Sequence, residues 1–388
     1  MQAIPFNRPQ LVGNEHAYID EALASGKLSG NGEFAGRCAG WLEERLDAPR
    51  ALITPSCTAA LELAATIIDL DPGDEVIVPS FTFVSTANAF ALRGAIPVFV
   101  DVRPDTLNID PDRMEEAITD RTRAIVVVHY GGVACDMGRI TRLARRHDLI
   151  VIEDAAHALP ASYRGRPLGS IGQLATFSFH ETKNVQCGEG GALVINDPDL
   201  IEAAEIAQEK GTNRARFFRG QVDKYTWVGL GSSHLLSEVA AAFLWAQLER
   251  TDEITEIRKS IWSSYHAAFE QLESEGVFRR PVVPDDCSHS GHLYYLLMPT
   301  GEMRDELIAA LKETGVHAVF HYVPLHDSPA GVRLGRTGGE LPVTSDVSER
   351  LVRLPLWAGL GDEGISTVID AVARAAPAIS MSRSAVSR

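Results

Sequence analysis

The sequence predicts an α/β protein in which a mostly parallel sheet is covered by helices on both faces, with a smaller α/β domain after it. Between residues 51 and 210, short β-branched segments alternate with helical segments, which is the order expected of a parallel sheet. The strand segments, such as 124–128, are apolar throughout, as strands buried on both faces require. Beyond about residue 275 the spacing of these segments changes, which indicates the second domain.

The elements of the first domain follow one another without an internal repeat. Residues 1–50 are typical of an N-terminal arm and amphipathic helices, and residues 211–234 are typical of a long loop. The alternating region predicts helices at 59–70, 84–93, 111–118, 137–147 and 199–210, and strands at 75–79, 97–102, 124–128 and 149–153. Two further strands flank a polar loop within 176–195.

The second domain follows a long helix or pair of helices at 235–273. Its pattern predicts strands at 292–298 and 316–322 and helices at 303–314, 346–353 and 363–375. A chain of 388 residues is long enough for two cores. We therefore predict a large domain at 1–250, a small C-terminal domain at 251–380 and a disordered tail at 381–388.

Composition narrows the class of protein. The net charge of −16 argues against a nucleic-acid partner, because a basic stripe would have to outweigh it. Five scattered cysteines without a C-x-x-C pair favour reduced thiols over a disulfide framework or a zinc site. The N-terminus lacks the pattern of a signal peptide, and no apolar run reaches the roughly 20 residues that span a bilayer. We expect a cytoplasmic protein without a membrane partner.

Three predicted strand ends carry polar groups, and ligands of parallel α/β sheets bind at such ends. The first is the turn Ser56–Ala60, whose backbone N–H groups and hydroxyls suit a phosphate at a helix N-terminus. The alternative is an ordinary Ser/Thr helix cap, which the motif alone favours.

The second strand end is 153–157, where two acids and a histidine leave an apolar strand. A carboxylate at the end of an apolar strand can bind a protonated heterocyclic nitrogen or a metal ion. The alternative is a cap for the next helix. Because only one strand end supplies acids, a metal is the weaker interpretation, and we predict none.

The third is the loop around Lys183, the one lysine among six that lies between two strand-like segments. Ser178 is a candidate to bind a phosphate, and His180 is a candidate to orient the turn. Lys183 is a candidate to form an imine with an aldehyde. The alternative is a solvated lysine above a glycine hairpin, and the loop alone does not decide between them.

Taken together, the three strand ends match pyridoxal 5'-phosphate. This cofactor needs a phosphate cradle, a carboxylate for its pyridine nitrogen, an aromatic face and a lysine amine. Phe83, at the start of a predicted helix, is the candidate for the aromatic face, although it also suits the core. The joint pattern is far more specific than any of its parts.

These motifs resemble those of the DegT-type sugar aminotransferases. The resemblance is carried by the stretch Ser178-Phe-His-Glu-Thr-Lys183 followed by Gly188-Glu-Gly-Gly191, with Glu153-Asp-Ala-Ala-His157 and Pro79-Ser-Phe-Thr-Phe-Val-Ser-Thr86 before it. It covers nearly the whole chain. It implies the aspartate-aminotransferase fold, a three-layer large domain of PLP fold type I with a smaller C-terminal α/β domain.

The resemblance also implies roles for single residues. Lys183 is the catalytic residue, which binds the cofactor aldehyde and later moves a proton. The other implied cofactor contacts are Asp154 to the pyridine nitrogen, His157 to the ring hydroxyl, Phe83 on the ring face, and Thr58, Ala59 and Ser178 at the phosphate. Family active sites lie at a homodimer interface, where a partner loop completes the phosphate site. Many members have asparagine in that loop, whereas this chain has Ser233, and many have glutamine in place of His157 and glycine in place of Cys57.

The substrates implied by the resemblance are L-glutamate and a dTDP-linked keto sugar, dTDP-4-keto-6-deoxyglucose, aminated at position 4. The family stretches at 211–234 and 320–326 support this substrate. Candidate cations for the diphosphate are Arg219 and Lys224, with Arg214 and Arg216 beside them, and Tyr322 and His326 match a loop near the sugar. The alternative is that these cations are ordinary charges of a solvent-exposed loop and bind no substrate.

Other functions remain as alternatives. The same site suits a 3-aminotransferase, or a dehydratase or lyase on related sugars, although lysine at 183 disfavours the dehydratases, which carry histidine there. A non-catalytic regulator that keeps the fold is a third hypothesis. The configuration at the aminated carbon, galacto or gluco, is left open.

Overall fold

The computed structural model describes residues 3–386, with side chains described as far as Ser380. The strands are β1 (Arg50–Thr54), β2 (Glu75–Pro79), β3 (Ile96–Val100), β4 (Thr122–Val128), β5 (Ile150–Asp154), β6 (Ser162–Tyr163), β7 (Arg166–Pro167), β8 (Leu174–Ser178), β9 (Gly191–Ile195), β10 (Cys287–Ser288), β11 (Tyr294–Leu297), β12 (Arg336–Thr337) and β13 (Leu351–Leu354).

The helices alternate with these strands in the first half of the chain. They are α1 (Glu15–Ala24), α2 (Glu33–Leu46), α3 (Cys57–Ile67), α4 (Val84–Ala91), α5 (Pro111–Ala117), α6 (Met137–Arg146), α7 (Ile201–Gln208), α8 (Arg214–Phe218), α9 (Glu238–Leu248), α10 (Thr251–Ala268), α11 (Glu270–Ser274), α12 (Gly301–Glu313), α13 (Pro329–Leu334), α14 (Pro342–Arg350) and α15 (Gly361–Val386).

The main sheet has eight strands in the order β1-β9-β8-β5-β4-β2-β3-β12. Its pairs are parallel except those of β9, which runs antiparallel to both β1 and β8. The predicted α/β class with a mostly parallel sheet is therefore confirmed. The central strands β2 and β4 are almost completely buried because helices pack on both faces.

Separate hydrophobic clusters fill the two faces of this sheet. One contains the inner sides of α2, α6 and α9, with Leu42, Ile140 and Leu244 at its centre. The other lies under α3 and α4, around Leu61 and Phe90. A third cluster fills the C-terminal part, where α10, α12 and α15 cover the two-stranded sheet of β11 and β13.

Three predicted elements differ from the structure. The loop predicted at 211–234 contains a short helix, α8. The strand predicted at 316–322 forms only isolated bridges, through Val316 and Val319. The helix predicted at 346–353 is α14, which begins earlier at Pro342 and ends at Arg350, after which the apolar residues of β13 pair with β11.

The division into domains at residue 250 stays a prediction. In the structure, α9 ends at Leu248 and α10 begins at Thr251. The last helix continues to Val386, into the tail predicted to be disordered at 381–388, and residues 387–388 lie outside the described residues.

Candidate active site

The carboxyl ends of β5 and β8 open into a cavity of about 710 Å³, which the N-terminus of α3 also borders. Most of the residues predicted for the site line this cavity: Thr58, Phe83, Asp154, His157, Ser178, Lys183 and Tyr322. The chain therefore brings residues from five separate segments to one place, because the ends of parallel strands meet at the same edge of the sheet.

Lys183 projects from the turn that joins β8 to β9. The turn is held by backbone bonds, including one of 2.9 Å from the Lys183 N–H to the His180 carbonyl. Burial lowers the pKa of the Lys183 amine to about 8, although the nearby Cys57 thiol and Asp154 carboxylate oppose the shift. A larger fraction of this amine is therefore neutral near pH 7 than of an ordinary lysine, which favours nucleophilic and base chemistry.

Asp154 and Glu153 lie on opposite faces of β5 because side chains alternate along a strand. Asp154 faces the cavity, where it accepts a hydrogen bond of 2.8 Å from Thr86, which itself lies 2.9 Å from the hydroxyl of Thr82. Burial raises the pKa of Asp154. These threonines fix the orientation of the carboxylate.

Glu153, on the far face of β5, has a structural role. Its carboxylate lies 2.9 Å from the ring of His129 and accepts the N–H groups of Gly169, Ile171 and Gly172 at 2.7–2.8 Å. Burial acts to raise its pKa, yet these hydrogen bonds hold the pKa of Glu153 below its ordinary value. Only one acid of the predicted pair thus belongs to the cavity.

The first turn of α3 provides the predicted phosphate site. Ser56 caps the helix by accepting the Ala59 N–H at 3.1 Å, and Ala59 does not line the cavity. The hydroxyls of Thr58 and Ser85 lie 2.8 Å apart at the cavity wall, and Ser178 lines it from β8. The helix is thus capped, as the alternative interpretation holds, while its first-turn hydroxyl still faces the cavity.

Four histidines line the same cavity, and three of them are buried: His157, His292 and His321. Burial, together with the charges of Lys183 and Arg353, lowers the pKa of each well below its ordinary value. The rings of His157 and His292 stack at 4.2 Å between centroids. All three are therefore neutral at pH 7 and act as hydrogen-bonding groups.

Hydrogen-bond partners fix the tautomers of two of these rings. The Gly131 N–H donates to Nδ1 of His157 at 3.3 Å, so the ring proton of neutral His157 lies on Nε2. Nδ1 of His292 lies 2.9 Å from the carboxamide oxygen of Asn184, whose amide group donates to the Ser290 carbonyl. His292 therefore donates a hydrogen bond through Nδ1 to Asn184, the residue after Lys183. This bond links the Lys183 loop to the C-terminal part of the chain.

The remaining predicted residues lie outside the cavity. Arg219 donates twice to Glu205, at 2.9 and 2.7 Å, and Lys224 and Ser233 are exposed to solvent. His326 lies 2.7 Å from the hydroxyl of Ser80. Their predicted contacts with substrate or with a partner's cofactor stay predictions.

The residues of the cavity fit pyridoxal phosphate. The amine of Lys183, the buried carboxylate of Asp154, the Nε2 proton of His157 and the exposed ring of Phe83 lie in one cavity and match the groups predicted to hold the cofactor ring and its aldehyde. The hydroxyls at the start of α3 match the group predicted for its phosphate. These contacts stay predictions.

Several cavity residues have no signal in the sequence. His292 belongs to no motif that indicates a ligand, and Arg353 and Phe6 come from the two ends of the chain. Proximity to Lys183 arises only in the folded structure.

The structure describes no helix long and apolar enough to cross a membrane. Among the described residues, no group of three or more histidine, cysteine, aspartate or glutamate side chains is arranged to hold a metal ion.

Comparison with known proteins extends over nearly the whole chain. The profile of the DegT/DnrJ/EryC1/StrS aminotransferase family matches residues 9–373. The GDP-perosamine synthase of Caulobacter vibrioides is 35% identical over 368 residues, which cover 94% of this chain and 96% of the synthase.

Two solved structures have the same fold. The aminotransferase TlmJ from Streptoalloteichus hindustanus gives a TM-score of 0.89 at 33% identity and covers 97% of this chain and 100% of its own. A protein of Streptococcus pneumoniae solved in a PLP-form gives a TM-score of 0.89 at 27% identity, over 97% of this chain and 99% of its own.

Proposed function

Because this chain belongs to the DegT/DnrJ/EryC1/StrS aminotransferase family, whose members depend on pyridoxal phosphate, we propose that it transfers the amino group of L-glutamate to C4 of dTDP-4-keto-6-deoxy-D-glucose. It is a nucleotide-sugar aminotransferase, and the observation that supports transamination at this site is Lys183. Its amine, with a pKa of about 8, shares one cavity with the buried carboxylate of Asp154.

The bound cofactor supplies an aldehyde that takes up the amino group and a ring that withdraws electrons from the reacting carbon. Asp154, oriented by Thr86, would accept a hydrogen bond from the protonated ring nitrogen and keep that charge in place. His157 would donate a hydrogen bond from its Nε2–H group to the ring hydroxyl, and Phe83 would hold the ring face.

Lys183 moves the proton. With the cofactor bound, the neutral amine of Lys183 would take the proton from the α-carbon of glutamate and return it to the cofactor, which would keep the amino group. Water would supply the keto oxygen of 2-oxoglutarate. In the second half-reaction the keto oxygen of the sugar would leave as water, and Lys183 would deliver a proton at C4. His292, His321 and Tyr322 form part of the wall of the cavity that contains Lys183.

The product of this reaction is dTDP-4-amino-4,6-dideoxy-D-galactose or its glucose epimer. The stretches Gly211-Thr-Asn-Arg214 and Phe320-His-Tyr-Val-Pro-Leu-His326 resemble those of dTDP-4-amino-4,6-dideoxygalactose transaminase. This similarity supports C4 over C3 as the aminated position. Tyr322, which lines the cavity, supports a sugar site at this wall.

The working unit is proposed to be a homodimer with active sites at the subunit interface. Ser233, Arg219 and Lys224 lie outside the cavity of their own chain, as contributors to a partner's site would. The segment that carries them also exposes apolar side chains, including Phe218 and Trp227. Large exposed apolar residues mark interaction surfaces.

The proposal is tested by product analysis. Purified enzyme loaded with pyridoxal phosphate is incubated with dTDP-4-keto-6-deoxyglucose and L-glutamate, and the sugar product is identified by NMR. We expect a 4-amino sugar and one 2-oxoglutarate per product, and we expect Lys183→Ala to lower turnover by at least about 100-fold.

Other outcomes separate the alternatives. A deoxygenated sugar formed without glutamate would show a dehydratase, and an amine at C3 would move the reaction to the neighbouring carbon. Absence of any turnover with dTDP-4-keto-6-deoxyglucose would favour a regulator. Normal turnover by Lys183→Ala would remove Lys183 from the mechanism.

A further inference from the structure

The segment between β10 and β11 contacts both of the loops that carry predicted cofactor contacts. Oγ of Ser290 donates to the carbonyl of His157 at 2.6 Å, and the Ser290 carbonyl accepts the side-chain amide of Asn184 at 2.8 Å. His292 donates through Nδ1 to the carboxamide oxygen of Asn184 at 2.9 Å. All four side chains are buried. The end of β5 and the turn that carries Lys183 are therefore tied to one segment of the C-terminal part.

Contacts on its other sides fix this segment in place. Arg258 of α10 donates to the carbonyls of Gly291 and His292 at 3.2 and 2.5 Å. Gly132 packs against the segment so closely that a Cβ atom at Gly132 would lie 1.9 Å from Oγ of Ser290. Because buried polar groups are costly to leave unpaired, the backbone of the segment has little freedom, and the side chain of His292 leaves it from a defined place.

The side chain of His292 makes its two contacts with different atoms. Its ring stacks on the ring of His157, with 4.2 Å between centroids and 22° between planes, whereas its Nδ1–H group bonds to Asn184. The hydrogen bond that the Gly131 N–H donates to His157 is 3.3 Å long and holds that ring only weakly. The stack therefore supplies a second constraint on the orientation of His157.

We propose that His292 is a positioning residue with two separable functions: its ring holds His157 toward the cofactor hydroxyl, and its Nδ1–H group holds the turn that presents Lys183. The assignment rests on the function proposed above, for which His157 and Lys183 are predicted to contact the cofactor. Burial lowers the pKa of His292 well below its ordinary value, so the ring is neutral at pH 7 and adds no charge beside Lys183.

The alternative is a histidine that only fills the core. Such a residue would also be buried and hydrogen-bonded, and its replacement would lower the Tm. It would not affect the two predicted cofactor contacts unequally, because a loosened core reaches both loops. Since different atoms of His292 make the two contacts, each contact can be removed while the other is kept.

The test removes one contact at a time. His292→Phe keeps a ring for the stack and removes the donor, whereas His292→Asn places an amide N–H close to the position of Nδ1 and removes the ring. The first measurement is the second-order rate constant for uptake of pyridoxal phosphate by cofactor-free enzyme, followed by stopped-flow absorbance. We expect His292→Phe to lower this constant at least about 10-fold, because uptake requires the amine of Lys183 in place, and His292→Asn to change it less than about threefold.

The second measurement is the visible absorbance of the bound cofactor. The hydroxyl of the cofactor belongs to its conjugated ring, so the absorbance responds to the hydrogen bond expected from His157. We expect His292→Asn to shift the absorbance maximum in the same direction as His157→Ala, and His292→Phe to retain the maximum of wild type. Each His292 variant is thus expected to change one measurement and to leave the other.

His266 provides the matched control, because its ring also stacks on an aromatic side chain, that of Trp262 at 4.5 Å, but lies outside the cavity. His266→Phe and His266→Asn are expected to leave both measurements unchanged. Asn184→Ala removes the acceptor while His292 stays intact, and it is expected to lower the uptake constant as His292→Phe does. This variant tests the hydrogen bond even if neither His292 variant folds.

The assignment is overturned if both His292 variants have a lower Tm while uptake and absorbance stay as in wild type, since His292 is then only a core residue. Equal effects of both variants on both measurements would contradict separate functions. Normal uptake by His292→Phe and Asn184→Ala would remove the hydrogen bond from the presentation of Lys183. If the expected pattern holds but wild type does not aminate the keto sugar, the proposed function is wrong while the positioning stands.

Discussion

Lys183 is the residue at which burial has a direct chemical consequence. Its side chain is surrounded by Cys57, Asp154 and the neutral histidines, and desolvation lowers the pKa of its amine to about 8. An ammonium ion cannot attack an aldehyde, so the neutral fraction sets the rate at which the cofactor is taken up.

We therefore predict that reconstitution of the cofactor-free enzyme depends on pH. The second-order rate constant for uptake of pyridoxal phosphate is expected to rise about tenfold per pH unit below the pKa and to level off above about pH 8. It is measured by stopped-flow absorbance of the bound cofactor. The ε-amine of Nα-acetyl-lysine is the control, and its rate should still rise above pH 9. A plateau reached only above pH 10 for the enzyme would contradict burial of the amine.

At the scale of residues, the sequence predicts the parts of the site that lie at strand ends. Lys183, Asp154 and Ser178 meet in the cavity because parallel strands present their carboxyl ends at one edge. The sequence alone does not show which of Glu153 and Asp154 faces the cavity. Once β5 is known, the alternation of side chains along the strand places the two on opposite faces. Arg353 is not predictable in this way, because only tertiary packing brings β13 to the cavity.

At the scale of elements, β12 joins the C-terminal part of the chain to the edge of the main sheet. It pairs with β3, and Arg336 at its start donates to the buried carboxylate of Glu75 at 2.9 and 2.6 Å. Arg121 and Thr119 also donate to Glu75, at 2.7 Å each. The hydrogen bonds from Arg336 are the main cause that lowers the pKa of Glu75 to about 2, against the opposing effect of burial.

Glu75→Gln is predicted to lower the free energy of unfolding by about 1–3 kcal/mol at pH 7, because a charged acceptor for two arginines is lost. A carboxyl with a lowered pKa stabilises the native state above its unfolded pKa, near 4.5, and this contribution is lost as the pH falls toward 2. The difference between wild type and variant, measured by urea unfolding, should therefore shrink below about pH 4.5.

Glu116→Gln provides the control for this element. Glu116 pairs with Arg113 on the exposed side of α5, and such surface pairs contribute little, so a change below about 1 kcal/mol is expected. A Glu75 variant as stable as the Glu116 variant would show that the Arg336 pair does not hold β12.

Element boundaries show where sequence patterns fail. The alternation of apolar segments predicts the main sheet because its strands are buried on both faces. In the C-terminal part, 316–322 has strand-like composition but finds partners only at Val316 and Val319, so it forms no regular strand. The β-propensity of a residue largely reflects how its side chain packs against neighbouring strands, and the local sequence does not show which strands those are.

At the scale of the whole molecule, the segment 211–234 stands out because it exposes large apolar side chains. Trp227 is 75% exposed, Phe218 is 69% exposed and Leu230 is 63% exposed. The rings of Phe217 and Tyr225 pack together at 5.8 Å, and Arg214 lies over Phe218 and Tyr225, so the segment has its own internal order. These features suit a preformed contact surface between two copies of the chain.

If this segment forms the dimer interface and completes the partner's active site, association and activity must be lost together. We predict that Trp227→Asp with Leu230→Asp raises the dimer dissociation constant at least about 30-fold, since buried aromatic anchors contribute 2 kcal/mol or more. Sedimentation velocity measures the dimer, and specific activity is followed on dilution. Val332→Asp, at an exposed apolar residue of α13, is the control and should leave both unchanged. A dimeric double variant with full activity would place the interface elsewhere, whereas a monomer with full activity would show that one chain contains the whole site.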